Sequence, residues 1–267
     1  MKKYIKSDTD DLSLYDKYVC DSYFRRACYA GKSDTPPEVL TVYAYDPIPI
    51  VRKAVAENPN TPQEILEDII HAKGNNWEIR SAVVRNPNVS AELLTELAKD
   101  KAAKVRQAVA DNSDTPFDVL MQLVHDSDWL TRVRASDNYS LIYGLTPELL
   151  TEFANSEDDV LRVRAARHSG TPVGVLIKLA SDPTTRIHVA QNPSTPEDTL
   201  WDLYTLNDRF VNVALARNNK APADMLSALA GSDLDDHVLL GHIANNRNTP
   251  KATKDFVNRR LQAITPM

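Results

Sequence analysis

Glycine is scarce here, with seven in 267 residues, and no G-x-x-x-x-G-K, G-x-G-x-x-G or G-x-S-x-G pattern occurs. Phosphate-cradling loops and the nucleophile elbow of hydrolases are therefore not expected. Cysteine is scarcer still. Cys20 and Cys28, eight apart, would sit about 12 Å from each other on one helix, beyond disulfide reach. They read as reduced, buried thiols, and two ligands are too few for a structural zinc or iron-sulfur site. The six histidines form no H-E-x-x-H pair, and His71 and His125 fall at equivalent places of a repeat, which points to descent rather than to a site. No catalytic residue, metal ligand or cofactor is expected. Long apolar runs are missing too, and the start, MKKYIKSDTDDLS, has lysines with no apolar segment after them. The expectation is a soluble, cytoplasmic protein without a membrane span. With 31 basic against 37 acidic residues, the net charge of -6 gives no general attraction to nucleic acid.

Proline, by contrast, is abundant, and its placement is periodic. Thr-Pro or a near equivalent recurs at Thr35-Pro36, Thr61-Pro62, Val89-Ser90, Thr115-Pro116, Thr146-Pro147, Thr171-Pro172, Thr195-Pro196, Ala221-Pro222 and Thr249-Pro250. These nine marks, 24 to 31 residues apart, define nine repeats.

Each repeat reads as two short helices, as in VRKAVAENPNTPQEILEDII (51–70). Val51, Ala54 and Val55 put apolar groups on one side of the first helix, with alanine small enough for a neighbouring helix to approach. Asn58 ends it as a left-handed C-cap, with Asn86, Asn112, Asn192, Asn218 and Asn246 in the same place. Thr61, Pro62 and Glu64 then read as N-cap, first helical residue and capping-box partner of the second helix. Its buried stripe lies four and seven residues after the proline: Leu40 and Tyr43, Leu66 and Ile69, Leu94 and Leu97, Leu120 and Leu123, and so on to Leu226 and Leu229. So narrow a stripe cannot hold a short helix alone, and stacked neighbours must cover it.

The expected fold is all-α, a solenoid of about nine two-helix repeats with no sheet. Residues 1–20 read as an N-terminal capping segment, 21–258 as the solenoid and 259–267 as a C-terminal cap or tail. One long amphipathic helix is expected over 10–30. The fifth repeat carries an insertion around Tyr139 to Gly144, where a bulged loop or bend is expected.

The text VRKAVAENPNTPQEIL (51–66), IRSAVVRNPNVSAELL (79–94), VRQAVADNSDTPFDVL (105–120) and IHVAQNPSTPEDTL (187–200) resembles the variant leucine-rich repeat family of bacterial proteins. The resemblance covers about residues 21–258 and implies two short helices per repeat, one often 3₁₀, stacked into a right-handed superhelix. It shades into HEAT-like repeats, since Asp46, Asp100, Asp128 and Asp158 each precede an arginine by six residues, similar to the Asp-Arg ladder of that superfamily. Some relatives carry a cysteine-rich iron-sulfur cluster; the cysteines for it are not in this sequence.

Three groups of residues are candidates for function. Arg26, Arg52, Arg80, Arg106, Arg134 and Arg164 would line up at the repeat spacing and could follow nucleic-acid phosphates. The competing reading pairs each with the Asp six residues earlier, which Arg26 and Arg80 lack. Glu67, Asp68, Glu96, Glu152 and Asp202 leave the second helices acidic beyond what capping explains. If that layer lines the concave side, as in related solenoids, it suits a basic protein segment. Trp77 and Trp129, just before first helices, and Trp201 near Tyr204 are candidate anchors or inter-repeat packing. The leading functional expectation is a non-enzymatic scaffold that binds a protein or peptide. The alternatives are a nucleic-acid-binding or glycosylase-like repair solenoid using the arginine line and tryptophans, and a structural subunit of a larger assembly.

Overall fold

A computed structural model describes residues 22–72, 74–231 and 236–264. Nineteen helices make up its regular structure, and no strand occurs among the described residues. The all-helical, two-helix repeat expected from the sequence is what the chain adopts. It divides into two compact units, residues 1–143 and 144–267.

In the first unit, α1 (Tyr23–Ala30), α3 (Pro49–Glu57), α5 (Trp77–Val84), α7 (Ala103–Asp111) and α9 (Trp129–Asp137) are first helices. The second helices are α2 (Pro37–Tyr43), α4 (Gln63–His71), α6 (Ala91–Leu97) and α8 (Phe117–Leu123). The expected bulge after α9 is a short helix, α10 (Tyr139–Gly144), seated through buried Leu141. The second unit opens with α11 (Pro147–Ala154), which completes the fifth repeat. First helices α12 (Asp159–Arg167), α14 (Arg186–Gln191), α16 (Arg209–Arg217) and α18 (His237–Asn245) then alternate with second helices α13 (Val173–Ala180), α15 (Glu197–Thr205), α17 (Ala223–Gly231) and α19 (Lys251–Ile264). Of the expected 10–30 helix, the stretch before 22 lies outside the described residues. Cys28 is exposed rather than buried, because the short α1 turns it away from the core; Cys20 lies outside the described residues.

Both faces of the helical pattern are buried as periodicity demands. Leu40, Leu66, Leu94, Leu120, Leu176, Leu200 and Leu226, with their partners one turn on, are all core residues. Val51, Val55 and Ala56 of α3, and Val105, Val109 and Ala110 of α7, fill the other side. First helices pack on the first helices of neighbouring repeats within each unit, whereas the second helices of the first unit meet one another loosely. Small side chains such as Ala82 and Ala108 allow that close approach. Within the first unit the first-helix layer is therefore the more tightly packed side.

Asparagine joins each repeat to the last. Asn58 is not in the left-handed region; at φ -78, ψ 126 it is extended, like Asn112, Asn192, Asn218 and Asn246. Its amide, nearly fully buried, donates to the carbonyls of Ala30 at 2.5 Å and Lys32 at 2.7 Å in the preceding repeat, while its oxygen accepts from the Asn60 amide. The extended backbone aims the side chain backward across the repeat boundary, which a left-handed cap would not do. Asn86, Asn138, Asn192, Asn218 and Asn246 repeat this geometry. In the sixth repeat His168 takes the acceptor role, with its Nδ1 receiving the Gly170 amide.

The threonines also act differently from expectation. Thr61, Thr115, Thr171, Thr195 and Thr249 donate at 2.6 Å to the carbonyl six residues earlier, satisfying the end of the first helix. The following proline, as at Pro62 and Pro116, is the N-cap, so the capping box is not formed there. Where serine or threonine itself occupies the N-cap position, a side-chain cap appears: Ser90 accepts from the Leu93 amide and Thr146, ahead of Pro147, from that of Leu149.

Candidate functional site

The arginine line is real but shifted. Six first helices hold an arginine at their fourth position, Arg26, Arg52, Arg80, Arg106, Arg132 and Arg162, so Arg132 and Arg162 stand where Arg134 and Arg164 were expected; α16 and α18 have Asn212 and Leu240 there. Two aspartates in the loop before α9, Asp126 and Asp128, made the register ambiguous in the sequence. Asp128 caps α9 through the Thr131 amide, which leaves Asp126 for the ladder.

Arg80, Arg106 and Arg162 each tie their own helix to a loop carbonyl before it and to a carboxylate twenty residues on. Arg106 donates through Nε and Nη2 to the Asp126 carboxylate at 2.6 and 2.8 Å, twenty residues later, and through Nη1 to the Asp100 carbonyl, six residues earlier. Arg80 holds the Asp100 carboxylate in the same bidentate way. Arg26 holds Asp46, whose carbonyl is taken by Arg52; Arg52 reaches Asn75, whose carbonyl is taken by Arg80. A continuous relay of guanidinium and loop thus runs from Arg26 to Arg132 through the first unit. The Asp six residues earlier supplies a backbone carbonyl, and the carboxylate bound belongs to the next repeat.

Burial and pairing show in the titration of these groups. Burial alone would raise the Asp100 and Asp126 carboxyls; the bidentate arginine and a loop amide outweigh it, so both fall below the ordinary aspartate value. Arg80 and Arg106 are raised, first by the hydrogen-bonded carboxylate. Of the two residues expected in the line, Arg134 is joined to Asp111 of the preceding first helix. Arg164 is buried in α12, and desolvation, followed by the charge of Arg167, lowers its pKa to about 10.

The acidic candidates lie in the other layer. Glu67 accepts from Gln63, Asp68 accepts from the Tyr45 hydroxyl, and Glu96 stands 3.6 Å from His71. Glu152 and Asp202 are exposed on α11 and α15. The tryptophans are elsewhere: Trp77 and Trp129 open α5 and α9 and are 43% and 62% exposed. The structure therefore does not bring the tryptophans and the acidic group together. Trp201, half-buried, stacks edge-on against Tyr204 within α15 at 5.6 Å, which is packing rather than display.

One pattern escaped the sequence reading. Of fourteen exposed large apolar side chains among the described residues, seven stand at the first or second position of a first helix: Tyr23, Phe24, Ile50, Trp77, Trp129, Phe210 and Val238. The third position, such as Val51, Ile79 or Val211, turns inward by helical rotation and is buried. In the first unit this makes an apolar first-turn edge, interrupted at α7 by Ala103 and Lys104. Such a concentration marks a binding face more than scattered exposure does. No group of three or more His, Cys, Asp or Glu side chains among the described residues is placed to hold a metal, and no described helix is long and apolar enough to cross a membrane.

Stacked helix pairs tied by asparagine and arginine relays define a helical repeat protein. Residues 51–113 match the family model described as the Leucine Rich Repeat Variant domain. The chain is also similar to a solved structure described as a leucine-rich repeat variant with a novel repetitive protein structural motif. The two are 26% identical, the match covers 79% of this chain and 81% of that one, and the TM-score is 0.56. No curated protein matches the chain.

Proposed function

We propose that this is a non-catalytic, cytoplasmic binding module whose partner is a protein or peptide seated on the first-turn edge of the first-helix layer, anchored by Trp77 and Trp129. The observation that carries the reading is the gathering of exposed apolar side chains at the first two positions of first helices, in four of the five repeats of the first unit. Tryptophan at the centre of such an edge is the residue type that dominates interface energetics. The repeat fold, a common protein-interaction scaffold, supports the same reading. Glu67, Asp68 and Glu96 have local partners and add little to it; Glu152 and Asp202 are the acidic positions left for a basic stretch of a partner.

The phosphate-tracking alternative is weakened because Arg26, Arg80 and Arg106 hold carboxylates bidentately. A structural-subunit role would show as a defined oligomer in light scattering. The test of the leading reading is affinity capture with wild type and a Trp77→Ala/Trp129→Ala variant, joined to a photocrosslinking side chain at position 129. Loss of one specific, crosslinkable protein from the variant's capture is the expected result. An unchanged capture list from a variant that melts like wild type overturns the assignment of that edge.

A further inference from the structure

The repeat builds the same shallow groove more than once, between the C-terminal ends of successive first helices and the turns that follow them. In the first unit, Arg85 and Ser113 border it, Ala108 forms its floor, and Asp111 and Asp114 supply two carboxylates. In the second unit the equivalent positions are Arg217, Arg247, His242 and Asn245, and no carboxylate lines the groove. At equivalent positions the first-unit groove carries charge of both signs, whereas the second-unit groove carries two arginines and no carboxylate, in a protein of net charge -6.

We propose that the groove between α16 and α18 binds an acidic peptide segment, with Arg217 and Arg247 pairing to its carboxylates and His242 beneath them. This rests on the reading of the chain as a protein-binding module and names the charge of the partner at a second face. Arg217 and Arg247 are exposed and neither forms an ion pair among the described residues, so their donors are available for forked pairing with carboxylates. Their placement on successive repeats spreads the positive charge along an open groove, which suits an extended chain better than one small anion. The positive field is felt by its neighbours. Burial, then the charge of Arg217, lowers the His242 pKa; two repeats earlier burial, then Arg167 and Arg164, does the same to His188. A bound carboxylate reverses the sign of that influence on His242.

The test uses the full chain and a fluorescein-labelled peptide of alternating glutamate and leucine, with the glutamine-leucine peptide and oligothymidine as comparison probes. Fluorescence anisotropy is expected to give binding at least about tenfold tighter for the glutamate than for the glutamine peptide. Arg217→Glu/Arg247→Glu removes that difference, and Arg217→Gln/Arg247→Gln reduces it. Both positions are exposed, so the variants keep the wild-type melting temperature. By NMR titration the glutamate peptide raises the His242 pKa. Equal affinity for the two peptides, undiminished binding by the charge-reversed variant, or tighter binding of oligothymidine overturns the proposal. The Trp77→Ala/Trp129→Ala variant retains groove binding, so failure of the tryptophan edge and failure of this groove are read separately.

Discussion

Asn86 donates its side-chain amide at 2.8 Å to the backbone carbonyl of Asn58, the residue that fills the same place one repeat earlier. The same amide reaches the Ala56 carbonyl, and the side-chain oxygen receives the Asn88 amide. One buried side chain thus satisfies three backbone groups that no helix covers. Because the donor and the acceptors lie about 28 residues apart, repeat-to-repeat cohesion is written into the backbone as well as the apolar core.

Replacing Asn86 by alanine strands those groups in a dry interface and is expected to lower stability by about 3 kcal/mol. Asn88→Ala, at an exposed position, should lose less than about 1 kcal/mol. Urea unfolding of both variants checks this; similar losses would show that burial of the amide is not what matters.

Thr115 distinguishes a donor from a cap. Its hydroxyl gives a hydrogen bond to the Val109 carbonyl at 2.6 Å. Thr115→Asp, harmless or favourable at a true N-cap, is expected to destabilise by roughly 2 kcal/mol, since it removes a donor and points an anion at a carbonyl. Thr115→Ser should keep most of the stability. At Ser90, which does cap, Ser90→Asp should be tolerated. Thermal melts of the three variants decide between the two roles.

The paired aspartates predict the acid limb of stability. Burial opposes ionisation of Asp100 and Asp126, yet hydrogen bonds from Arg80 and Arg106 and from loop amides leave both pKa values lowered. In the unfolded chain they return to about 3.9. Unfolded aspartate therefore binds protons first on acidification, and the stability from these pairs, full above about pH 4, is lost as pH falls through the lowered folded values. Asp126→Asn should be less stable at pH 7 and show a shallower decline below pH 4, measured by urea midpoints across that range.

His188 acts in a higher window. Burial, then the charges of Arg167 and Arg164, depresses its pKa below the ordinary value near 6.5. Between those two values the unfolded imidazole is protonated and the folded one is neutral, so stability falls as pH drops below about 6.5. His188→Gln should flatten the stability profile between pH 7.5 and 5.5 in denaturant titrations. A slope equal to that of wild type would assign the loss to other groups.

The sequence alone determined the repeat number, the two-helix unit and the buried leucine pairs. These follow from local rules: helical rotation selects which residues share a face, and proline and threonine mark where one helix stops and the next begins. It also located the asparagines and the arginine-aspartate spacing. What they bind was decided only by tertiary structure. Asn58 reaches Ala30 and Lys32, and Arg106 reaches Asp126, across a repeat boundary whose register no local pattern encodes. Between Asp126 and Asp128, or Arg132 and Arg134, the sequence offers equal spacings, and packing assigns one of each pair to the ladder. Exposure of Trp77 and Cys28 was likewise outside its reach, since a residue at a helix's first turn is covered or bare according to what the neighbouring repeat brings beside it.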